Sequence, residues 1–232
     1  MDIGKAIGFV FDDEEWIAKM LIAAVILLLG ITFAWLLLIP LILALLLLGG
    51  YGVEITRRVI FRETPVLPRW DDWGDLLGKG LKVWVIGVVY ALPIIIVGIC
   101  LSIPIGILGE SAQDMSAVLS VFMSCLNFLW SLLVSLLLPA AIALYVVDGD
   151  IGAAFRFGDV FALVRDNFSI YLVVLVVSWV ASLLGSMGFI FCLIPGLFTA
   201  PYAAWVTSHL YGQAYLEATG RPSAPVFEEE PA

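Results

Sequence analysis

Formal charge is scarce in this sequence. Only 13% of its residues are Asp, Glu, Lys or Arg, against 62% that are hydrophobic, whereas water-soluble domains carry about a quarter of charged residues. A soluble fold of 232 residues cannot hide so much apolar surface, because a large part of any small protein stays exposed. A lipid bilayer removes that difficulty. Positive charge is scarcer still: 11 Lys and Arg stand against 20 Asp and Glu, for a net −9. That balance argues against a nucleic-acid partner, which needs a basic footprint. It also argues against a polybasic attachment to anionic lipid.

Histidine occurs once, as His209, so no multi-histidine metal site can form. Cysteine is almost as rare. Cys100, Cys125 and Cys192 all lie inside apolar runs, without the paired spacing of a disulfide framework or zinc site, and read as free thiols packing as small apolar residues. A Walker loop, a strand-linked glycine fingerprint and a His-Glu-x-x-His pair are all missing. Asp71, Asp72 and Asp75 lack the twelve-position pattern of a calcium loop, and helix capping explains them. No cofactor is expected. Nor is a cleavable signal peptide: Asp12, Asp13, Glu14 and Glu15 precede an apolar stretch too long for a signal's core.

What the sequence does have is long uncharged runs. A helix needs about 20 apolar residues to cross a hydrocarbon core of about 30 Å. Residues 20–53 carry no formal charge; as one helix they would extend about 50 Å, too far for one span. Two short spans with a reversal between Gly30 and Pro40 fit better. Further uncharged stretches cover residues 83–109, 115–147 and 168–216. The last has Gly185, Gly188, Pro195 and Gly196 near its middle and reads as two helices joined by a tight turn. The runs lack the alternation of barrel strands, so the fold class is an all-α integral membrane protein. About six transmembrane helices are expected, over residues 20–34, 37–53, 83–108, 116–147, 168–187 and 194–216. They follow a segment of residues 1–19 and precede a disordered acidic tail, residues 217–232.

Charge asymmetry favours six spans over five. Lys and Arg in short loops mark the cytoplasmic side. Residues 54–82 carry Arg57, Arg58, Arg62, Arg69, Lys79 and Lys82, and residues 148–167 carry Arg156 and Arg165, while the connections near Glu110 and Gly185 have none. With a hairpin at the start, Lys5, Lys19 and Arg221 join the same side. All 11 basic residues and both termini then face the cytoplasm, as expected of a multi-pass protein of the cell membrane.

The two basic loops carry apolar stripes. Trp70, Trp73, Leu77, Leu81 and Trp84 recur at spacings of three and four, as do Phe157, Val160, Phe161, Val164 and Phe168. Each predicts an amphipathic helix lying in the membrane interface or packing across the ends of the bundle. Trp73-Gly74-Asp75-Leu76-Leu77 also lines up with Phe157-Gly158-Asp159-Val160-Phe161, a possible parallel internal repeat.

Polar groups within the spans are few. Ser124, Asn127, Ser131 and Ser135 share one helical face, and Ser178, Ser182 and Ser186 another; helix-packing glue is the plain reading and a substrate path the sharper one. His209 reads as a packing histidine near the cytoplasmic interface. Pro40, Pro93, Pro104, Pro139, Pro195 and Pro201 are expected to bend or interrupt helices.

The string Leu67-Pro68-Arg69-Trp70-Asp71-Asp72-Trp73-Gly74-Asp75-Leu76-Leu77-Gly78-Lys79-Gly80-Leu81-Lys82 resembles the signature loop of the membrane family catalogued as domain of unknown function 4013. The stretch from Asn167-Phe168 and Tyr171, through Ile194-Pro195-Gly196, to Tyr211-Gly212-Gln213 is similar to that family's last helical pair. The likeness covers the chain from about Trp16 to Glu217. It implies an uncharacterised polytopic protein of a kind common in archaea, with no established activity or functional residue to carry over.

The expected role is non-enzymatic: structural, lipid-organising or that of a partner subunit, with membrane lipids and a membrane protein or a second copy of the chain as partners. The alternative is a permease or lipid-handling carrier for an apolar or neutral substrate. Mid-span ionisable pairs are missing, which argues against ion-coupled transport. A membrane-embedded enzyme using Ser or His chemistry ranks third, since no motif singles out a serine and no carboxylate is placed to orient the ring of His209.

Overall fold

The computed structural model describes residues 1–34, 38–108, 113–191 and 193–220. Residues 35–37, 109–112, Cys192 and residues 221–232 lie outside the described residues, so the start of the expected span 37–53 and most of the expected tail of residues 217–232 fall outside them, while Glu217 and Ala218 end the last helix. Eight α-helices and one short 3₁₀ turn make up the described fold, with no strand among the described residues. The helices are α1 (Ile3–Gly8), α2 (Trp16–Thr32), α3 (Ile39–Phe61), α4 (Trp73–Leu108), α5 (Gln113–Asp148), α6 (Phe157–Asp166), α7 (Phe168–Phe191) and α8 (Leu193–Ala218). The 3₁₀ turn, Ile151–Phe155, links α5 to α6.

Four helical stretches are long and apolar enough to cross a membrane: Ile39–Phe61, Trp73–Leu101, Ala117–Asp148 and Phe168–Ile190. Two of the six expected spans fall short. Helix α2 has 17 residues and a rise of about 26 Å. Helix α8 has 26 residues but is not apolar enough, carrying Thr207, Ser208, His209 and Gln213. Its position gives a reason. Helix α8 packs against α1, α2, α3, α5 and α7, so its neighbours shelter it and its own surface need not be apolar.

The uncharged run of residues 20–53 does reverse between Gly30 and Pro40, as expected. Helix α2 ends at Thr32 and α3 starts at Ile39 with Pro40 in its first turn, where a missing N–H costs nothing. The reversal near residue 192 differs from the expected one. Helix α7 continues through Gly185 and Gly188 to Phe191, so these glycines are not turn residues. A Cβ on Gly188 would lie 2.9 Å from the Cα of Gly196, and one on Gly185 would lie 2.8 Å from the Cβ of Ala203. They let two antiparallel helices touch, as small residues do in membrane bundles. The Thr199 hydroxyl donates to the Gly185 carbonyl across the same seam at 2.8 Å.

The expectation of two separate amphipathic helices is corrected at the first of them. Residues 73–84 are the opening turns of α4, which runs unbroken for 36 residues and passes through Pro93. The second is a separate helix, α6, with Val160 and Val164 buried and Phe157 and Phe161 exposed. The two matched strings open α4 and α6, with Trp73 and Phe157 exposed and Leu76 and Val160 buried. Beyond that they diverge, since α6 stops at Asp166.

The bundle is tightest where α3 crosses α4. A Cβ on Gly50 would sit 1.8 Å from the Leu76 carbonyl oxygen, and one on Gly80 would sit 1.9 Å from that of Leu46. Only glycine lets the two backbones meet in this way. Leu76 at this crossing packs in an apolar cluster with Ala44, Tyr51 and Trp205, while a second and larger cluster gathers Ala140, Ala141, Ala143 and Tyr145 of α5 with Val53, Ile86, Tyr90, Tyr171 and Val174.

Candidate functional site

The charged groups gather where α3 and α4 meet the loop between them. Glu54 is buried on α3, one turn before Arg57 and Arg58. Its carboxylate accepts from Arg57 Nη2 at 2.7 Å, from Arg57 Nε at 3.0 Å and from Arg58 Nε at 3.2 Å. Lys79 of α4 adds a donor at 2.6 Å. Arg57 turns its other edge to Glu63, at 2.7 Å for each of two bonds, and Lys79 also pairs with Asp75 at 2.6 Å. A buried carboxylate is costly unless several charge-assisted donors meet it; here three cations do. The outer partners reach water, which screens them.

The loop is folded back over this end of the bundle by aromatic stacking. The Trp70 indole lies 4.3 Å from the Tyr51 ring, and the Trp205 indole stacks on its other side at 4.9 Å. Tyr51 donates to the Pro68 carbonyl at 2.8 Å, and Trp70 Nε1 donates to the Lys19 carbonyl at 3.3 Å. Lys19 is buried and pairs with Asp13 at 2.6 Å, with a second bond to the Leu67 carbonyl at 3.2 Å. Asp72 then caps α4, accepting from the Asp75 N–H at 2.9 Å. In residues 67–82, therefore, Leu67, Trp70 and Leu76 fill the core, Gly80 admits α3, and Lys79 ties α4 to Glu54.

Two pockets flank the ion cluster. One, of about 310 Å³, is bordered by Glu54, Arg58, Arg69, Asp71, Asp72 and Asp75. The other, of about 220 Å³, lies among α3, α4 and α5, with Arg57, Lys79, Lys82 and Tyr145 on its walls.

The candidate interfacial residues do not share one face. Trp70 is buried at 8% exposure, Leu77 is half-buried, and Trp73, Leu81 and Trp84 are exposed, the last at 58%. Of the second stripe, Phe157 and Phe161 are exposed and Val164 is buried. The candidate polar residues do not converge either. Ser124, Asn127 and Ser131 are exposed on α5, with Ser124 and Ser131 bonded to carbonyls of their own helix. Ser182 is exposed on α7, and Ser178 is half-buried with its hydroxyl unpartnered among the described residues. Cys100 and Cys125, expected to be buried, are exposed free thiols on the bundle surface.

His209 is buried on α8. Its ring lies 4.4 Å from that of Phe9, and its Nδ1 is 3.2 Å from the Gln213 amide nitrogen. Gln213 in turn exchanges two bonds with the backbone of Asp2, at 2.9 and 3.0 Å, and the Met1 ammonium pairs with Glu217. The N-terminal segment is thus fastened to the far end of the last helix. Among the described residues, no group of three or more His, Cys, Asp or Glu is placed to hold a metal ion.

In the sequence Glu54 marks only the end of the uncharged run of residues 20–53. Its spacing to Arg57 and Arg58, three and four, was the readable signal. The third donor, Lys79, comes from another helix and left none.

No curated protein and no solved structure matches the chain. The family model described as "Protein of unknown function (DUF4013)" matches residues 33–194, which is more than half of the sequence. The match holds α3 to α7 and the whole Leu67–Lys82 string, and stops short of the Tyr211-Gly212-Gln213 likeness. With the residues of that string now accounted for in the structure, the chain belongs to the DUF4013 family.

Proposed function

We propose that the protein is a six-span component of the cell membrane with a non-enzymatic role, organising lipid or serving as a partner subunit, and that its ion cluster and both termini face the cytoplasm. The observation that carries this reading is the division of the surface. One end of the bundle holds the interlocked network of Glu54, Arg57, Arg58 and Lys79. The flanks of α2, α3, α4, α5 and α7 expose apolar side chains such as Leu21, Leu45, Ile96, Leu129 and Leu183. Such flanks suit acyl chains and not water.

Two contacts support an even number of crossings. The Met1 ammonium pairs with Glu217 and Asp2 with Gln213, so the start of the chain and the end of α8 share one side. The exposed Phe157 and Phe161 of α6, beside basic Arg156 and Arg165, suit a helix lying at the cytoplasmic interface.

Purification in mild detergent, followed by identification of bound lipid and protein, tests the role. Lipid or a membrane protein retained at fixed stoichiometry, without solute flux in reconstituted vesicles, is the expected result. Flux that depends on Asn127 would replace this reading with a carrier.

A further inference from the structure

We propose that the pocket among α3, α4 and α5 binds a phosphate-bearing anion, with the phosphate of a lipid headgroup as its source. The proposal rests on the membrane reading above and names a ligand for it.

The chain is acidic, yet the ionisable groups lining this pocket are mostly basic. Its walls carry Arg57, Lys79 and Lys82 against one carboxylate, Asp75. The first two cations are held in place by their carboxylate partners: Arg57 by Glu54 and Glu63, Lys79 by Glu54 and Asp75. Their positions are fixed and their charge is largely offset by these carboxylates, so they offer pre-oriented N–H donors with little ordering left for a ligand to impose. Lys82 differs. It has no ion-pair partner among the described residues, and its ammonium lies 5.6 Å from the centre of the Tyr145 ring. It is the cation with charge to offer.

Two of the lining residues, Gly78 and Gly149, are glycines. A Cβ added to Gly78 or to Gly149 would meet no atom within 4 Å, so both glycines border open space. At about 220 Å³ the space admits a phosphate with its nearest substituents. The same helix exposes Leu81 and Trp84 in the next turn, where an interfacial Trp marks the headgroup layer. A plainer duty for Lys82 exists: it stands near the C-terminal end of α5, whose partial negative charge it complements. The two duties predict different responses to ligand.

The test uses the full chain in a neutral mild detergent, with phosphatidylglycerol, phosphatidylcholine and inorganic phosphate as probes. Retention is followed by native mass spectrometry and by the shift in unfolding temperature. Two variants carry it: Lys82→Gln removes the free charge at an exposed site, and Gly78→Leu fills the pocket while replacing an exposed helical glycine with a better helix former. The expected result is tighter retention of phosphatidylglycerol than of phosphatidylcholine, weakened about tenfold or more in both variants. Binding of millimolar inorganic phosphate that is lost in the same variants, with no preferential retention of phosphatidylglycerol, would overturn the lipid source and assign the site to a free anion. Equal retention of phosphatidylglycerol by wild type, Lys82→Gln and Gly78→Leu would overturn the pocket while leaving the membrane reading intact. Retention of no phosphate-bearing probe would also overturn it. A chain that stays monodisperse without any amphiphile would sink the membrane reading itself.

Discussion

Lys79 reaches from α4 to Glu54 on α3 at 2.6 Å, one residue from Gly80, whose missing side chain lets the two helices touch. The contact joins the two tightest features of the molecule, a backbone crossing and a shared buried carboxylate. Because Glu54 meets three cations, its loss is felt on both helices. Glu54→Gln is expected to lower stability by about 2 kcal/mol, below the usual cost of breaking a fully buried pair because Arg57 and Lys79 partly reach water. Thermal unfolding in detergent reads this, and adding Lys79→Met is expected to restore part of the loss.

Two glycines two residues apart should behave oppositely. Gly80→Ala drives a Cβ into the Leu46 carbonyl oxygen and is expected to cost about 1–3 kcal/mol through forced separation of α3 and α4. Gly78→Ala meets open space and is expected to stabilise the helix by up to about 1 kcal/mol. Equal effects in an unfolding titration would contradict the described crossing.

The tryptophans of the loop are expected to split in the same way. Trp70→Ala removes the plate that covers Tyr51 and is expected to cost about 3 kcal/mol or more. Trp84→Ala, at a position 58% exposed, is expected to leave the unfolding midpoint within about 0.5 kcal/mol. A brominated-lipid quenching signal assigned to Trp84 and not to Trp70 would check the same division.

Asn127 lies on an exposed face of α5, next to Phe128, whose ring sits 6.5 Å from that of Trp179 near the middle of α7. A polar amide on an apolar flank gives the isolated bundle nothing. Asn127→Leu is therefore expected to leave the unfolding temperature unchanged or raise it. A marked loss of stability would show that the amide has a partner within the bundle.

How legible the fold was depended on the range of the forces involved. The hairpin around Gly30 and Pro40 and the separation of α7 from α8 follow from run length against bilayer thickness, which is local information. That Leu76, and not Leu77, enters the core is not legible, because spacing alone puts Trp70, Trp73, Leu77, Leu81 and Trp84 on one helix face. Trp70 precedes the helix and is held by Tyr51 and Trp205 from far along the chain. The exposed positions of Ser124, Asn127 and Ser131 were likewise set by which neighbours α5 packs against, which spacing on one helix does not reveal. Glycines read as turn formers proved to be contact points for the same reason: a residue chosen for closeness to a distant backbone looks, in sequence, like one chosen for a bend.

The direct test of the whole account is the side of the membrane on which each connection lies. With the native cysteines replaced, single cysteines at Gln113, Arg62 and Arg156 are treated in intact cells with a thiol reagent that cannot cross the bilayer. Modification at Gln113 alone is the expected result; modification at Arg62 or Arg156 would contradict the proposed topology and the cytoplasmic placement of the Glu54 cluster.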